Sequence, residues 1–445
     1  MNPSTAPDPR PRFAWWALAV ASASLGCSSS HASARSSPDS SIQVVVDAST
    51  LTPVDSGTTK PRKDSGTPLT DSGTPLADSG ATKPDAAPPT CITPSSPASC
   101  AAPRMTALPI CNLALTGCMD ANHPTAFAAS AISYEVNSPL WSDGAAKARA
   151  FVLPSGGKIH VDASTGKWAF PVGTVLLKNF LFDDKVVETR LFMHVDDATA
   201  ALIGNGTNWV GYNYAWNEEQ TEATIVPNAR TGVSFRTGKQ TVNWNYPSFF
   251  DCIGCHSNAI GPIGPETDQM NRTVGTENQI DTFATKRLFD DSPPAKPYAP
   301  ALVEPYANGA LGLDGPPPGA TVEDRARSYL AANCSFCHRA DVNDQGFDLR
   351  SQFSLGQTGI CNLMQQNGIP GMTATPLFDF KPGDHAKSAV WIRMNTPVPA
   401  SDPGELEDVG RMPPVASFVV DSQATALIAQ WIDSTKSCPL VDGGN

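Results

Sequence analysis

Residues 249–256 read FFDCIGCH, and residues 333–338 read NCSFCH. Both contain Cys-x-x-Cys-His, first as Cys252, Cys255 and His256, then as Cys334, Cys337 and His338. With 11 cysteines and 7 histidines among 445 residues, composition alone predicts ~0.004 such matches. Two matches are therefore a signal. The spacing suits covalent attachment of c-type haem. Two intervening residues let both sulfurs reach the vinyl groups of one porphyrin, and the following histidine lies beneath the ring as proximal iron ligand. A zinc site would need a fourth ligand for each Cys2His set. The expectation is two covalently held haem c groups, one on each motif.

The remaining cysteines fit an exported chain. Setting aside the four haem cysteines and Cys27 leaves six, an even number that suits disulfides in an oxidising compartment. Pairing by proximity in sequence predicts Cys91–Cys100 and Cys111–Cys118, with Cys361–Cys438 as the third bridge. Export is also written at the N-terminus. Arg10 and Arg12 precede an apolar run from Phe13 to Leu25, too short to span a bilayer and suited to a signal sequence. Leu25-Gly26-Cys27 then resembles a bacterial lipoprotein signal, with Ser24 where a leucine is usual. Cys27 is the predicted lipidation site and anchors the chain to a membrane of the cell envelope. Cleavage after Ala21-Ser22-Ala23 is the alternative.

Residues 28–100 read as a disordered tether rich in Pro, Ser, Thr and Gly. Asp-Ser-Gly recurs at Asp55, Asp64, Asp71 and Asp78, with too little apolar side chain to offset the entropy of ordering. These aspartates lack the spacing of a calcium loop. A tether of ~60 flexible residues reaches roughly 45 Å. The net charge of −12, with no long basic run, argues against a nucleic-acid partner.

From 101 to 250 the signals are those of strands. Thr174–Phe182 and Val186–Val195 are rich in β-branched and aromatic residues, and Tyr212, Tyr214 and Trp216 alternate onto one strand face. A β-sandwich-like domain is predicted there, with the aromatic row as core. Residues 251–310 form a first haem-binding segment with a helix over Glu277–Phe289. Residues 311–445 are expected to be a mainly α-helical cytochrome c-like domain carrying the second haem. Its first helix starts at Thr321, where Thr321 and Asp324 form a capping box. Its last is capped by Asp421 and buries Ala424, Leu427, Ile428, Trp431 and Ile432 along one stripe.

Each haem iron has a second axial position. For the second haem, Met412 in GRMPP is the candidate ligand, held in a loop stiffened by Pro413 and Pro414, with Met394 as its rival. A His/Met pair raises the reduction potential and favours electron transfer over substrate binding. For the first haem, Met270 and His194 are candidates, His160 and His123 are alternatives, and an open position remains a third reading.

The order helix, NCSFCH, RMPP and terminal helix resembles a small cytochrome c domain. The stretches NSPLWSDGAAKARAFVLPSGGKI, WAFPVGTVLLKNF, YAWNEEQTEA, CIGCH, GPETDQMNR, RARSYLAANCSFCHR and PGDHAKSAVWIRM together are similar to an uncharacterised di-haem c-type cytochrome family of bacterial envelope proteins. The likeness covers roughly residues 130–435. It implies two covalent haems and export, and it brings no defined substrate. The function expected is electron transfer between two haems and redox partner proteins. A haem enzyme of peroxidase or oxidase type, with the first haem catalytic, is the alternative. A binding module in which the β region recognises a partner is a third class.

Overall fold

In a computed structural model of the chain, the described residues are 91–100 and 108–439, apart from 205, 229, 248–250, 253–254, 259, 308–310, 312–314, 343–345, 365–368, 370–376, 398–409 and 414–417. Cys27, the expected signal and the expected tether up to residue 90 lie outside them; residues 91–100, placed in that tether from the sequence, are described and carry the bridged Cys91 and Cys100. So do the middle residues of the first motif.

The two long apolar runs seen in the sequence become the central strands, β5 (Val175–Phe182) and β6 (Lys185–His194). They are flanked by β1 (Ile132–Ser133), β2 (Ala146–Val152), β7 (Trp209–Trp216) and β8 (Ala223–Ile225). These six make one sheet in the order β1-β2-β5-β6-β7-β8, with every neighbouring pair antiparallel. Among the described residues, six further strands pair off as three hairpins. They are β3 (His160–Val161) with β4 (Trp168–Ala169), β9 (Arg230–Arg236) with β10 (Thr241–Tyr246), and β11 (Thr273–Val274) with β12 (Glu277–Asn278).

Both faces of the sheet are covered, so its strands alternate between two cores rather than between core and water. One face packs Ala150, Val175, Leu177, Leu191, Tyr214 and Trp216 against Leu113, Cys118 and Met119 of the N-terminal segment. The aromatic row of β7 lies in this core, as predicted from its alternation. The other face contributes Phe151, Leu176 and Trp209 to a cluster with Trp168, Phe170, Met270, Ile280 and Phe283. Further along that face, Phe180 meets Trp244 and Tyr246 of the β9–β10 hairpin.

Among the described residues the α-helices are α1 (Asp197–Ile203), α2 (Thr267–Met270), α3 (Gln279–Thr285), α4 (Val322–Asn333), α5 (Ala389–Asn395) and α6 (Ser422–Ser434). The capping box of Thr321 and Asp324 is formed at the start of α4. Asp421 caps α6, whose Ala424, Leu427, Ile428, Trp431 and Ile432 are all buried. Burial of each large side chain of that stripe contributes about 1.5–3 kcal/mol.

Two parts of the expected fold class are overturned. The β region is a single six-stranded antiparallel sheet with a two-stranded hairpin laid on it, not two packed sheets of a sandwich. The part after residue 311 is not mainly α-helical. Among its described residues only α4, α5, α6 and a short 3-10 turn at His385–Lys387 are helical, and loops join them. Prolines at 316–318, 382, 397, 413 and 439 account for much of this, since proline lacks the amide that a helix interior needs. The described residues form one compact unit.

Three disulfides staple this unit. Cys361–Cys438 joins the loop after Ile360 to the chain beyond α6, as expected. The two N-terminal bridges are Cys91–Cys111 and Cys100–Cys118, not the sequence neighbours. They cross rather than nest, because Ile92 lies beside Ile110 in a parallel bridge and Ala98 donates to Leu115 at 2.8 Å. Side-by-side segments bring together cysteines about one segment apart, which proximity along the chain does not reveal.

Candidate functional site

Cys252, Cys255, Cys334 and Cys337 are not in disulfides, and all four are half-buried. The fold brings the two motifs together. A side-chain hydrogen bond joins Cys255 to Cys337, and it favours the Cys337 thiolate, whose pKa is held below the usual thiol value. Phe336, inside the second motif, lines the same cleft as Cys252, Cys255 and His256.

The first motif sits on the sheet. Gly211 of β7 has no side chain because Cys252 occupies the space. A β-carbon there would lie 2.9 Å from Sγ and 3.3 Å from Cβ of Cys252. The His256 ring is tilted against Phe192 of β6, with ring centres 4.2 Å apart. Its Nδ1 lies 2.8 Å from the carbonyl oxygen of Gly261. Nδ1 is therefore the protonated nitrogen and donates, which leaves the lone pair on Nε2 for a ligand. Burial lowers the His256 pKa to about 4 and raises that of Cys252 to about 11. A neutral, oriented imidazole beside two cysteines outside any disulfide suits covalent haem attachment.

The second motif caps a helix. Cys334 follows α4 directly, and its amide donates to Leu330 at 2.9 Å. The His338 amide donates to Cys334 at 2.9 Å, closing one turn that sets the ring next to Phe347. The two rings stack at 4.8 Å and 13°. Burial, with the Arg393 charge adding, lowers His338 to about 4, so this imidazole is also neutral. Its Nδ1 is buried with no hydrogen-bond partner among the described residues. Burial lifts Cys334 to about 12.

Residues 137–143 tie the two halves at this seam. Ser138 exchanges hydrogen bonds with the Gln269 side chain, at 2.9 and 2.8 Å, and its hydroxyl donates to the Ser328 carbonyl of α4 at 3.0 Å. The Trp141 amide donates to Asn333 at 2.6 Å, and its indole to Val419 at 3.0 Å. Asp143 accepts from the amides of Phe418 and Val419, both at 2.8 Å. The sequence reading gave these residues no structural role, and their polar side chains alone do not reveal one.

The predicted axial ligands fall in different places. Met412 is half-buried in the loop after Arg411. Its amide donates to the Arg393 carbonyl at 3.2 Å, and Arg393 is the residue whose charge reaches His338. The next residue, Pro413, faces the cleft of the first motif. Met394, its rival, is buried in the core of α4 and α6. Met270 is fully buried, and its sulfur takes a long contact of 3.9 Å from Gln279. His194 stacks on Trp209 at 4.5 Å and pairs through Nδ1 with the Phe170 carbonyl at 2.8 Å. Neither Met270 nor His194 is among the described residues lining the cleft. His160 pairs with Asp290 at 2.8 Å, and His123 is exposed.

A second cavity lies on the other side of Phe336. Ile260 and Pro262 from the first motif's exit loop line it, with Ser335, Arg339, Glu266, Asp268, Lys167 and Arg350. Burial raises Glu266 to about 7. Among the described residues no three His, Cys, Asp or Glu side chains gather as a metal-ion site. A haem iron is held by four ring nitrogens and asks only axial ligands of the chain. Among the described residues no helix is long and apolar enough to cross a membrane.

No protein-family model, curated protein or solved structure matches this chain.

Proposed function

We propose that this protein is an exported di-haem c-type cytochrome, anchored at Cys27, that passes electrons between two covalently attached haems and redox partner proteins. The observation that carries the reading is the pair of Cys-x-x-Cys-His motifs, far apart in sequence and linked through Cys255 and Cys337. Adjacent attachment sites are what transfer between two haems requires. The bound group supplies one-electron chemistry at iron.

The chain's own residues hold and isolate that group. Cys252 and Cys255 fasten one porphyrin, and Cys334 and Cys337 the other. His256 and His338 each present a neutral imidazole, the first oriented by Gly261. Met412 is the second axial ligand proposed at the later site. Tyr134, Leu140, Trp141 and Leu176 wall the cleft of the earlier site and limit water there. The likeness to the envelope di-haem family supports the same reading.

Mass spectrometry of the denatured holoprotein tests it, with Cys252→Ala/Cys255→Ala and Cys334→Ala/Cys337→Ala as the variants. The wild type should carry two covalent haems and each double variant one. A bare processed chain with no Soret band would end the proposal. Cyanide binding by the native protein separates the carrier from the haem enzyme, because two low-spin irons that resist cyanide belong to a carrier.

A further inference from the structure

The sheet face beneath the first motif carries more positive charge than its neighbours neutralise. Strand register arranges that face in rows. Phe151, Leu176, Phe192 and Gly211 form one row; Arg149, Lys178, Arg190 and Asn213 form the next; Lys147, Phe180, Glu188 and Ala215 form the third. Glu188 is the fully buried carboxylate beside Lys178 and Arg190, while Asp143 acts on Lys147 and Glu135 on Arg149 from farther off. Glu188 takes Arg190 in a two-point bridge of 2.8 and 3.0 Å and accepts the Trp244 indole at 2.9 Å. Lys147 donates to the Ala145 carbonyl at 2.7 Å, and Arg149, among the described residues, reaches the Lys147 carbonyl at 3.5 Å. Lys178 has the Phe180 ring 5.9 Å away. Glu135, near Arg149, is bridged to Arg272 at 2.9 Å. Among the described residues no carboxylate is ion-paired with Lys147, Arg149 or Lys178. Withdrawing such cations from water is costly unless a partner restores the lost interaction.

We propose that the row Arg149–Lys178–Arg190 is a carboxylate-binding floor for the two propionates of the porphyrin attached at Cys252 and Cys255. This rests on the reading of that motif as a haem site. Position is the argument. Cys252 sits on Gly211, in the apolar row at the β7 end. The cation row is the next along the strands, roughly 7 Å away, and from Arg149 to Arg190 it crosses two strand intervals, roughly 10 Å. A porphyrin fastened by its vinyl edge projects its carboxylates from the opposite edge, away from the thioethers and toward the cations. Lys178 and Arg190 line the cleft that holds Cys252 and His256, and Arg149 continues the row onto β2. Arginine and lysine are the natural partners of such carboxylates.

The test uses full-length holoprotein with Lys178→Met and Arg149→Met, Lys178→Arg as the charge-keeping variant and the exposed Lys436→Met as control. Resonance Raman reads the propionate bending modes, and spectroelectrochemistry reads the midpoint potentials. In the two Met variants the propionate modes of one haem should shift. Its potential should fall, because loss of a positive charge favours the ferric state, while the other haem keeps its value. Lys178→Arg and Lys436→Met should match the wild type. Unchanged modes and potentials in variants whose denatured mass shows both haems would overturn the carboxylate floor alone. A bare chain mass in the wild type overturns the haem reading and this proposal with it. If added succinate shifts the wild-type spectrum while the Met variants keep the wild-type propionate modes, the row is a site for an external dicarboxylate, and the proposal falls.

Discussion

The two Cys-x-x-Cys-His segments have the same five-residue pattern but opposite kinds of support. The first is laid on a sheet, with Cys252 against the bare backbone of Gly211, His256 against Phe192, and a band of cations one row away. The second grows out of the C-terminal end of α4, with His338 stacked on Phe347 and Arg393 as the nearby charge. A motif dictates which atoms are bonded to a cofactor. The scaffold dictates the field those atoms feel, and hence the redox potential. If both motifs carry haem as proposed, unequal scaffolds would give a direction to electron flow that two equal sites would lack.

The largest expected effect that tests this contrast is at Gly211. In Gly211→Ala the added methyl meets Cys252 at 2.9 Å, with the strand backbone behind it. Overpacking of this kind costs about 1–3 kcal/mol. Urea unfolding should show that loss, and haem-to-protein ratios should fall toward one, with the second site still loaded. Full loading of both sites would mean that Cys252 does not need the sheet. Phe347→Leu sharpens the other side of the contrast. It removes the ring that stacks on His338, and we expect about 1 kcal/mol of lost stability. The potential of the second haem should move while the first stays fixed, read by redox titration.

A third test, which turns on pH, lies at the seam between the sites. Burial, followed by the Asp268 charge, raises the Glu266 carboxyl to about 7 from its ordinary 4.5. The folded state thus holds this proton more tightly than the unfolded state. Its contribution to stability is whole below about 4.5 and is lost as pH climbs through about 7. Glu266→Gln copies the protonated form. It should leave the melting temperature near that of wild type at pH 5 and raise it at pH 8. Equal shifts at both pH values would place the effect elsewhere.

Much of this molecule was legible in its sequence, and the rest was hidden for definite reasons. The central strands, the capped helices α4 and α6 and the buried stripe of α6 all follow from local pattern; the bridge Cys361–Cys438 is met as expected, though sequence alone does not fix a disulfide's partner. The fold class did not follow, because two recognisable helices were taken to imply a helical domain. The prolines between them keep that part of the chain in loops. The crossed bridges of Cys91 and Cys100 depend on two segments lying side by side, which no local pattern encodes. At the site, the motif residues could be read directly. The Arg149–Lys178–Arg190 row could not, since each is a lone cation in an apolar strand until register aligns them. Alternation did place Lys178 on the same face as Leu176 and Phe180, a cue that one buried ladder position was polar. Met270 illustrates the converse: a methionine close in sequence to the motif, spent on core packing.

The meeting of Cys255 with Cys337 has a bearing on how the protein is made. In an oxidising compartment, two touching thiols can surrender their hydrogens to an oxidant and join to each other. That cross-link would take one sulfur from each proposed attachment site and leave neither able to form both thioethers. If the haem proposal holds, porphyrin has to be fixed to each half before the halves close on one another, and a chain that folds too early traps itself in a dead end.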